Sequence, residues 1–247
     1  MPSRRVRFRR LSIVALAAAV VVGGGVAYAL LSSKSTPTTH AGATVRTTTT
    51  TTAPPTTTTS STTTTTTTTD PGTLPQTMQF PASTDPQFTA EVQAFWQGVV
   101  QGSVTPALPA FFPKTAYVQL KTGIADPAGD WQNRLVANFA LDIGAAHALL
   151  GPDPSQATFV SVSVPEQYGH WIPPGVCANG IGYYEVANAR VVYQIDGQTR
   201  SFGIASLISW RGEWYVVHFG AILRSGSGGE VDDPEVGTGS SAPSSTC

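Results

Sequence analysis

Few side chains in this 247-residue sequence combine the type and the surroundings that chemistry requires. Glu185 stands first. It lies between Tyr183 and Ala187 in an alternating apolar run. A carboxylate on an apolar sheet face is desolvated, which raises its pKa and equips it as a general base. A solvated strand end, or pairing with Arg200 or Arg134, would leave it an ordinary acid. Four histidines occur: His40, His147, His170 and His218. None stands in His-x3-His spacing and there is no Cys-x2-Cys, so no metal and no other cofactor is expected. His147 falls on an apolar helix face, where a core imidazole satisfied by its neighbours is the ordinary case. His218 falls on a strand beside Asn188 and Ala205. Tyr168 to Gly180 is an irregular aromatic stretch holding Tyr168, His170 and Trp171. Such a loop serves either to bind a ligand or to cover a sheet edge. With His218, those three are the candidate ligand contacts. Asp130 and Arg134 have the spacing of a helix ion pair. Asp142 is expected on the outer helix face, without a role.

The elements that must position these groups follow from hydrophobic period. Pro86 to Val100 reads as a helix, with Asp85 as its N-cap and Pro86 at the first helical position. Phe88, Val92, Phe95, Trp96 and Val99 form its apolar stripe. A short apolar piece runs from Leu108 to Phe112, and Tyr117 to Lys121 reads as a short strand. Asp130 caps a second helix, Trp131 to Leu150, whose apolar face carries Trp131, Leu135, Phe139, Ile143, His147 and Leu150. The period then changes to two. Strands are expected at Ala157–Val164, Tyr183–Ile195, Thr199–Trp210 and Glu213–Leu223, with Asp196-Gly197 as a hairpin turn and Arg211-Gly212 as another. Helices followed by an antiparallel meander define an α+β class. The turns pair Val191 with Phe202, Glu185 with Ile208, Ile208 with Tyr215 and Ile204 with Phe219. One face then carries Val191, Phe202, Ile204, Ile208, Tyr215, Val217 and Phe219 toward the helices. The other, with Asn188, Arg190, Ser201, Gly203, Ala205, Ser209, Trp214 and His218, is expected to be wetter.

Charge and low complexity organise the rest. Residues 1–46 hold seven of the fourteen Lys and Arg and no acid; all fifteen Asp and Glu lie in residues 70–247. The folded part is therefore acidic, which excludes a nucleic-acid binder. Residues 1–10 are a basic head. Residues 11–31 carry no charge and are long enough to span a bilayer, so a single-pass transmembrane helix is expected, with the N-terminus cytoplasmic and the remainder outside. Ala27-Tyr28-Ala29 also has the form of a signal-peptidase site, and cleavage after Ala29 would give a secreted protein. Residues 32–79, with Thr tracts at 47–52, 56–59 and 62–69, have almost no apolar surface to bury and read as a disordered Thr/Pro-rich stalk. O-glycans on the Thr tracts and a bare spacer are the two alternatives. The domain is expected at 80–225, and 226–247 as a flexible acidic tail. Cys177 and Cys247 are the only cysteines. Outside the cell they would pair and pin the Tyr168–Gly180 loop; a disulfide-linked dimer or free thiols are the alternatives.

The helix at 86–100, the run Phe111-Phe112-Pro113 into Ala116-Tyr117-Val118, the second helix, and the closing Gly212-Glu213-Trp214-Tyr215-Val216-Val217-His218 resemble the nuclear-transport-factor-2-like superfamily over residues 86–223. That resemblance implies a cone-shaped α+β fold, shared with ketosteroid isomerases, into which N-terminal helices packed on the four-stranded antiparallel sheet would fit. The isomerase pattern implies a Tyr and carboxylic acids in the cone, and the first helix has no Tyr, so no catalytic residue is carried over. Three functions follow as expectations. One is a membrane-tethered, extracytoplasmic module of a bacterial cell envelope that binds an envelope protein or a small ligand. Another is a small-molecule enzyme, isomerase- or hydrolase-like, with Glu185 as general base. The third is a structural stalked protein whose domain packs against the wall. N-terminal sequencing of membrane-extracted protein should find residues 1–31 retained; a mature chain starting at Leu30 refutes the anchor.

Overall fold

The computed structural model describes residues 70–243. The span expected at 11–31, the Thr tracts and Cys247 lie outside those residues. Among the described residues no helix is long and apolar enough to cross a membrane.

The sheet is built on one long hairpin. β3 (Tyr183–Ile195) and β4 (Gln198–Trp210) are thirteen residues each and antiparallel. Asp196 and Gly197 turn between them, both at positive φ (51° and 71°), as a two-residue hairpin loop requires. The register is the expected one, with Val191 opposite Phe202 and Glu185 opposite Ile208. β1 (Thr158–Ser163) and β2 (His170–Ile172) pair along the outer edge of β3. β5 (Glu213–His218) and β6 (Asp232–Val236) pair along that of β4. The fold is α+β, and its antiparallel sheet has six strands rather than four.

α1 (Pro86–Gln101) begins as expected, with the Asp85 carboxylate accepting from the Gln87 amide at 2.8 Å. All five stripe residues are buried. α2 (Val104–Ala107) and a 3-10 turn follow. Tyr117 to Lys121 is not a strand. It belongs to α3 (Lys114–Leu120), in which Ala116, Tyr117 and Leu120 bury one side at helical spacing. The long helix starts earlier than expected. α4 (Pro127–Asp130) is capped by Asp126, whose carboxylate accepts from Gly129 at 2.9 Å, so Asp130 is not the cap. A π-helical stretch, Trp131–Val136, joins it to α5 (Ala137–Leu149).

The core lies between helices and sheet. Phe95 meets Phe219 edge-on at 4.9 Å, Trp96 lies 5.5 Å from Tyr193, and Phe139 stacks on Phe111 at 4.5 Å. Each such ring contributes roughly 1.5–3 kcal/mol by burial.

The second sheet face is not wet: Arg190, Ser201, Ser209 and Trp214 are all buried. Chain from both flanks covers it. Among the described residues, the packing includes chain from Asp70 onward, ahead of the expected domain start at residue 80. The Trp210 indole donates to the Pro71 carbonyl, Gln76 bonds Ser209 and Arg211, and Phe80 meets Trp214 edge-on. From the other end, β6 lies within the segment expected to be a flexible tail. Arg190 donates to Ser201 and to the Asp233 carbonyl, both at 2.8 Å.

Asp142 corrects another expectation. It is 1% exposed, not on the outer face. Its carboxylate accepts from both Arg224 terminal nitrogens (3.0 and 2.7 Å), the Gly220 amide (3.0 Å) and the Glu230 amide (2.9 Å). That arrangement fixes residues 220–230 against α5. Leaving such a buried charge without its partner costs about 3–5 kcal/mol.

Where α1 meets β5, Glu91 and Glu213 approach Tyr215 with no basic side chain in the cluster. Gln87 donates to Glu91 at 3.0 Å and to the Tyr215 hydroxyl at 3.2 Å. Burial pushes Glu91 up to about 8; burial and neighbouring Asp85 push Glu213 up to about 7. Both carboxyls thus keep in the folded state a proton that the unfolded chain releases near its ordinary pKa. Their contribution to stability is greatest at acidic pH and falls as pH rises toward 8. Chemical denaturation of Glu91→Gln across pH 5–9 should show a shallower fall than wild type. An unchanged slope refutes the protonated carboxyl.

Candidate functional site

Glu185 lines a cavity of about 60 Å³ between the helices and the sheet. Its lining includes Tyr117 from α3 and Lys121 at its C-terminal cap, Arg134 and Leu135 from the π-helical stretch, Tyr183 and Glu185 from β3, Ser206 and Ile208 from β4, and His218 from β5. Glu185 is 3% exposed. The Ser206 hydroxyl donates to its Oε1 at 2.6 Å, and Oε2 has no hydrogen-bond partner. Burial raises its pKa; the Ser206 bond and the charges of His170 and Lys121 oppose that rise. Neither Arg200 nor Arg134 pairs with it. Arg134 instead holds Asp130 (2.6 Å), the helix pair its spacing implied.

Tyr117 is the residue that sequence reading missed, because it was assigned to a strand. Its hydroxyl donates to Asp130 at 2.5 Å and accepts from Arg134 at 3.1 Å. Burial, then the Asp130 bond, pushes its pKa well above the tyrosine range. Lys121 was also missed. Its ammonium donates to the Cys177 carbonyl at 2.9 Å, and burial lowers it to about 8. No carboxylate among the described residues lies within ion-pair distance of Lys121.

A β-bulge accounts for His218. The β4–β5 register slips between Ser206 and Leu207, so Ser206 faces His218 and Leu207 faces Val216. Phe219 therefore bonds through its carbonyl to Ala205 (2.9 Å), and the expected pairing of Ile204 with Phe219 does not form. The slip turns His218 from the expected wetter face into the cavity beside Glu185. Burial lowers His218 to about 4, with the nearby cations Arg134, Lys121 and Arg224 acting the same way.

The aromatic stretch does two things. His170–Ile172 forms β2 and covers the edge of β3, with His170 opposite Glu185 and Trp171 edge-on to Tyr184 at 5.0 Å. Residues 175–180 then fold against the end of α3, where Gly180 donates to the Leu120 carbonyl and Gly123 to that of Ala178. Tyr168, His170 and Trp171 do not line the cavity. Among the described residues no cysteine is free, and the expected partner of Cys177, Cys247, lies outside them. His147 is half-buried, with Nδ1 3.0 Å from the Val99 carbonyl. Among the described residues no group of acidic, His or Cys side chains is placed to hold a metal ion.

Chemically, the cavity offers a bare carboxylate oxygen, an ammonium group, a neutral imidazole and a phenol held by a carboxylate. Comparison with protein-family models, curated proteins and solved structures gave no match.

His218 should titrate near pH 4, observed through its imidazole NMR signals in the intact chain. A midpoint near 6.5 would place it in solvent and refute the bulged geometry.

Proposed function

We propose that this chain is a membrane-tethered, extracytoplasmic binding module of a cell envelope, of the cone-shaped superfamily it resembles, whose cavity takes a small polar ligand. The observation that carries the reading is the cavity in which Glu185 Oε2 is left without a partner and Lys121 is bound only to a carbonyl. Buried polar groups are normally satisfied, and those left open beside a cavity await one. At about 60 Å³ the space holds about four waters, far below the roughly 300–1,000 Å³ of a drug-sized pocket. The basic head, the uncharged run at 11–31 and the Thr-rich stalk support the tether, with the bilayer and O-glycans as its partners.

Acetate, glycolate or acetamide added to the full-length chain should shift the His218 imidazole signals saturably. Failure of all three to do so refutes the reading.

Catalysis is the second reading, favoured by the raised pKa of Glu185, which suits a general base acting through Oε2. It requires Glu185-dependent exchange of a small carbonyl compound's α-protons in D2O, lost in Glu185→Gln. Equal exchange by wild type and variant excludes it.

A further inference from the structure

An ammonium group has three N–H donors, and the bond from Lys121 to the Cys177 carbonyl uses one of them. No carboxylate among the described residues lies within ion-pair distance of it. The charged and titratable groups around it come from every side. Glu185 lies on β3, Asp130 and Arg134 on the helical segments and His218 on β5. Burial and Arg134 favour the neutral amine, Glu185 and Asp130 oppose them, and burial prevails. Glu185, Arg134 and His218 line the same cavity as Lys121.

The opposed charges of Lys121 and Glu185 select neither an anion nor a cation. A neutral carbonyl compound meets no such conflict, and an amine freed of its proton is a nucleophile toward it. The product meets none either. A protonated imine carries the same single positive charge as the ammonium it replaces, so Glu185 keeps the countercharge it already has. Room for about four waters admits an aldehyde of a few heavy atoms and excludes an aromatic one.

Resting on the reading that the cavity takes a small polar ligand, we propose that Lys121 captures a short aliphatic aldehyde there as an imine. The ammonium first gives one proton to solvent. Its Nζ lone pair attacks the carbonyl carbon, the carbonyl π electrons pass to oxygen, and oxygen takes up a second proton from nitrogen. The first proton returns to the hydroxyl of this carbinolamine, which leaves as water while the nitrogen lone pair closes the C=N bond. Ammonium and aldehyde thus give protonated imine and water, with nothing oxidised or reduced.

The chain supplies its own comparison, because its only lysines are Lys34, Lys114 and Lys121. The full-length protein is treated near pH 7 with acetaldehyde and cyanoborohydride, which traps imines, and N-ethylation of each lysine is followed by mass spectrometry of its peptides. At that pH about a tenth of Lys121 is free amine, against less than about a thousandth of an ordinary lysine. Lys121 should therefore be ethylated at least about tenfold faster than Lys34 or the exposed Lys114. Excess acetamide should slow the reaction at Lys121 alone, and benzaldehyde should show no preference for Lys121. Equal ethylation of Lys121 and Lys114 overturns the imine. A preference for Lys121 that benzaldehyde shares overturns capture within the cavity. If acetamide shifts the His218 signals while Lys121 reacts no faster than Lys114, the imine falls and the binding reading stands. Unselective ethylation, with no shift by acetate, glycolate or acetamide, removes both.

Discussion

Everything described here hangs on the β3–β4 hairpin. Each other strand pairs with one of its two members, and both chain flanks are laid on its second face. Its register is set by two residues at positive φ, Asp196 and Gly197. Side chains alternate along a strand, so a slip of one residue would exchange Glu185, Val191 and Ile208 for Val186, Val192 and Leu207 on the helix side. The aromatic core and the polar cavity are thus specified by the same turn. The apolar face supplies the free energy of packing, and the one carboxylate placed on it is thereby kept from water.

The cavity is polar at the end of an apolar core, which demands compensation. Ser206 satisfies one oxygen of Glu185, Asp130 and Arg134 satisfy the Tyr117 hydroxyl, and the Cys177 carbonyl receives Lys121. Burial disfavours charge on every one of these groups that it encloses, which is why Glu185 is raised while Lys121 and His218 are lowered. The bonds to the Cys177 loop give that loop a mechanical part. Residues 175–180 are stitched to the end of α3, so their placement sets where the ammonium group lies.

Closure of the site depends on chain that composition marks as unlikely to fold. Residues 220–230 contain four Gly and few large apolar side chains, yet Asp142 binds them at Gly220, Arg224 and Glu230. A single buried carboxylate with four donors does the ordering that apolar burial cannot do there. Arg190 acts likewise on the other face, where Gly239 lies so close that a Cβ would collide with the guanidinium.

The amino-acid sequence by itself determined the elements that carry a strong period or a strong turn. These are α1 with its Asp85 cap, the long helical face from Leu135 to Leu150, β3, β4, their hairpin, and the register that puts Glu185 on the helix-side face. Local physics suffices there, because alternation and turn geometry are written in neighbouring residues. Tertiary structure decided what neighbours cannot encode. Tyr117 to Lys121 has β-branched and aromatic residues typical of a strand, but it became helix because Tyr117 and Leu120 had a core to enter. His218 reached the cavity through a bulge that no residue type announces. Asp142 went inward because Arg224, far along the chain, arrived to meet it. Contacts of long sequence separation made these choices, and their energies outweigh local propensities of a few tenths of a kcal/mol (roughly 0–0.7 for ordinary residues in helices).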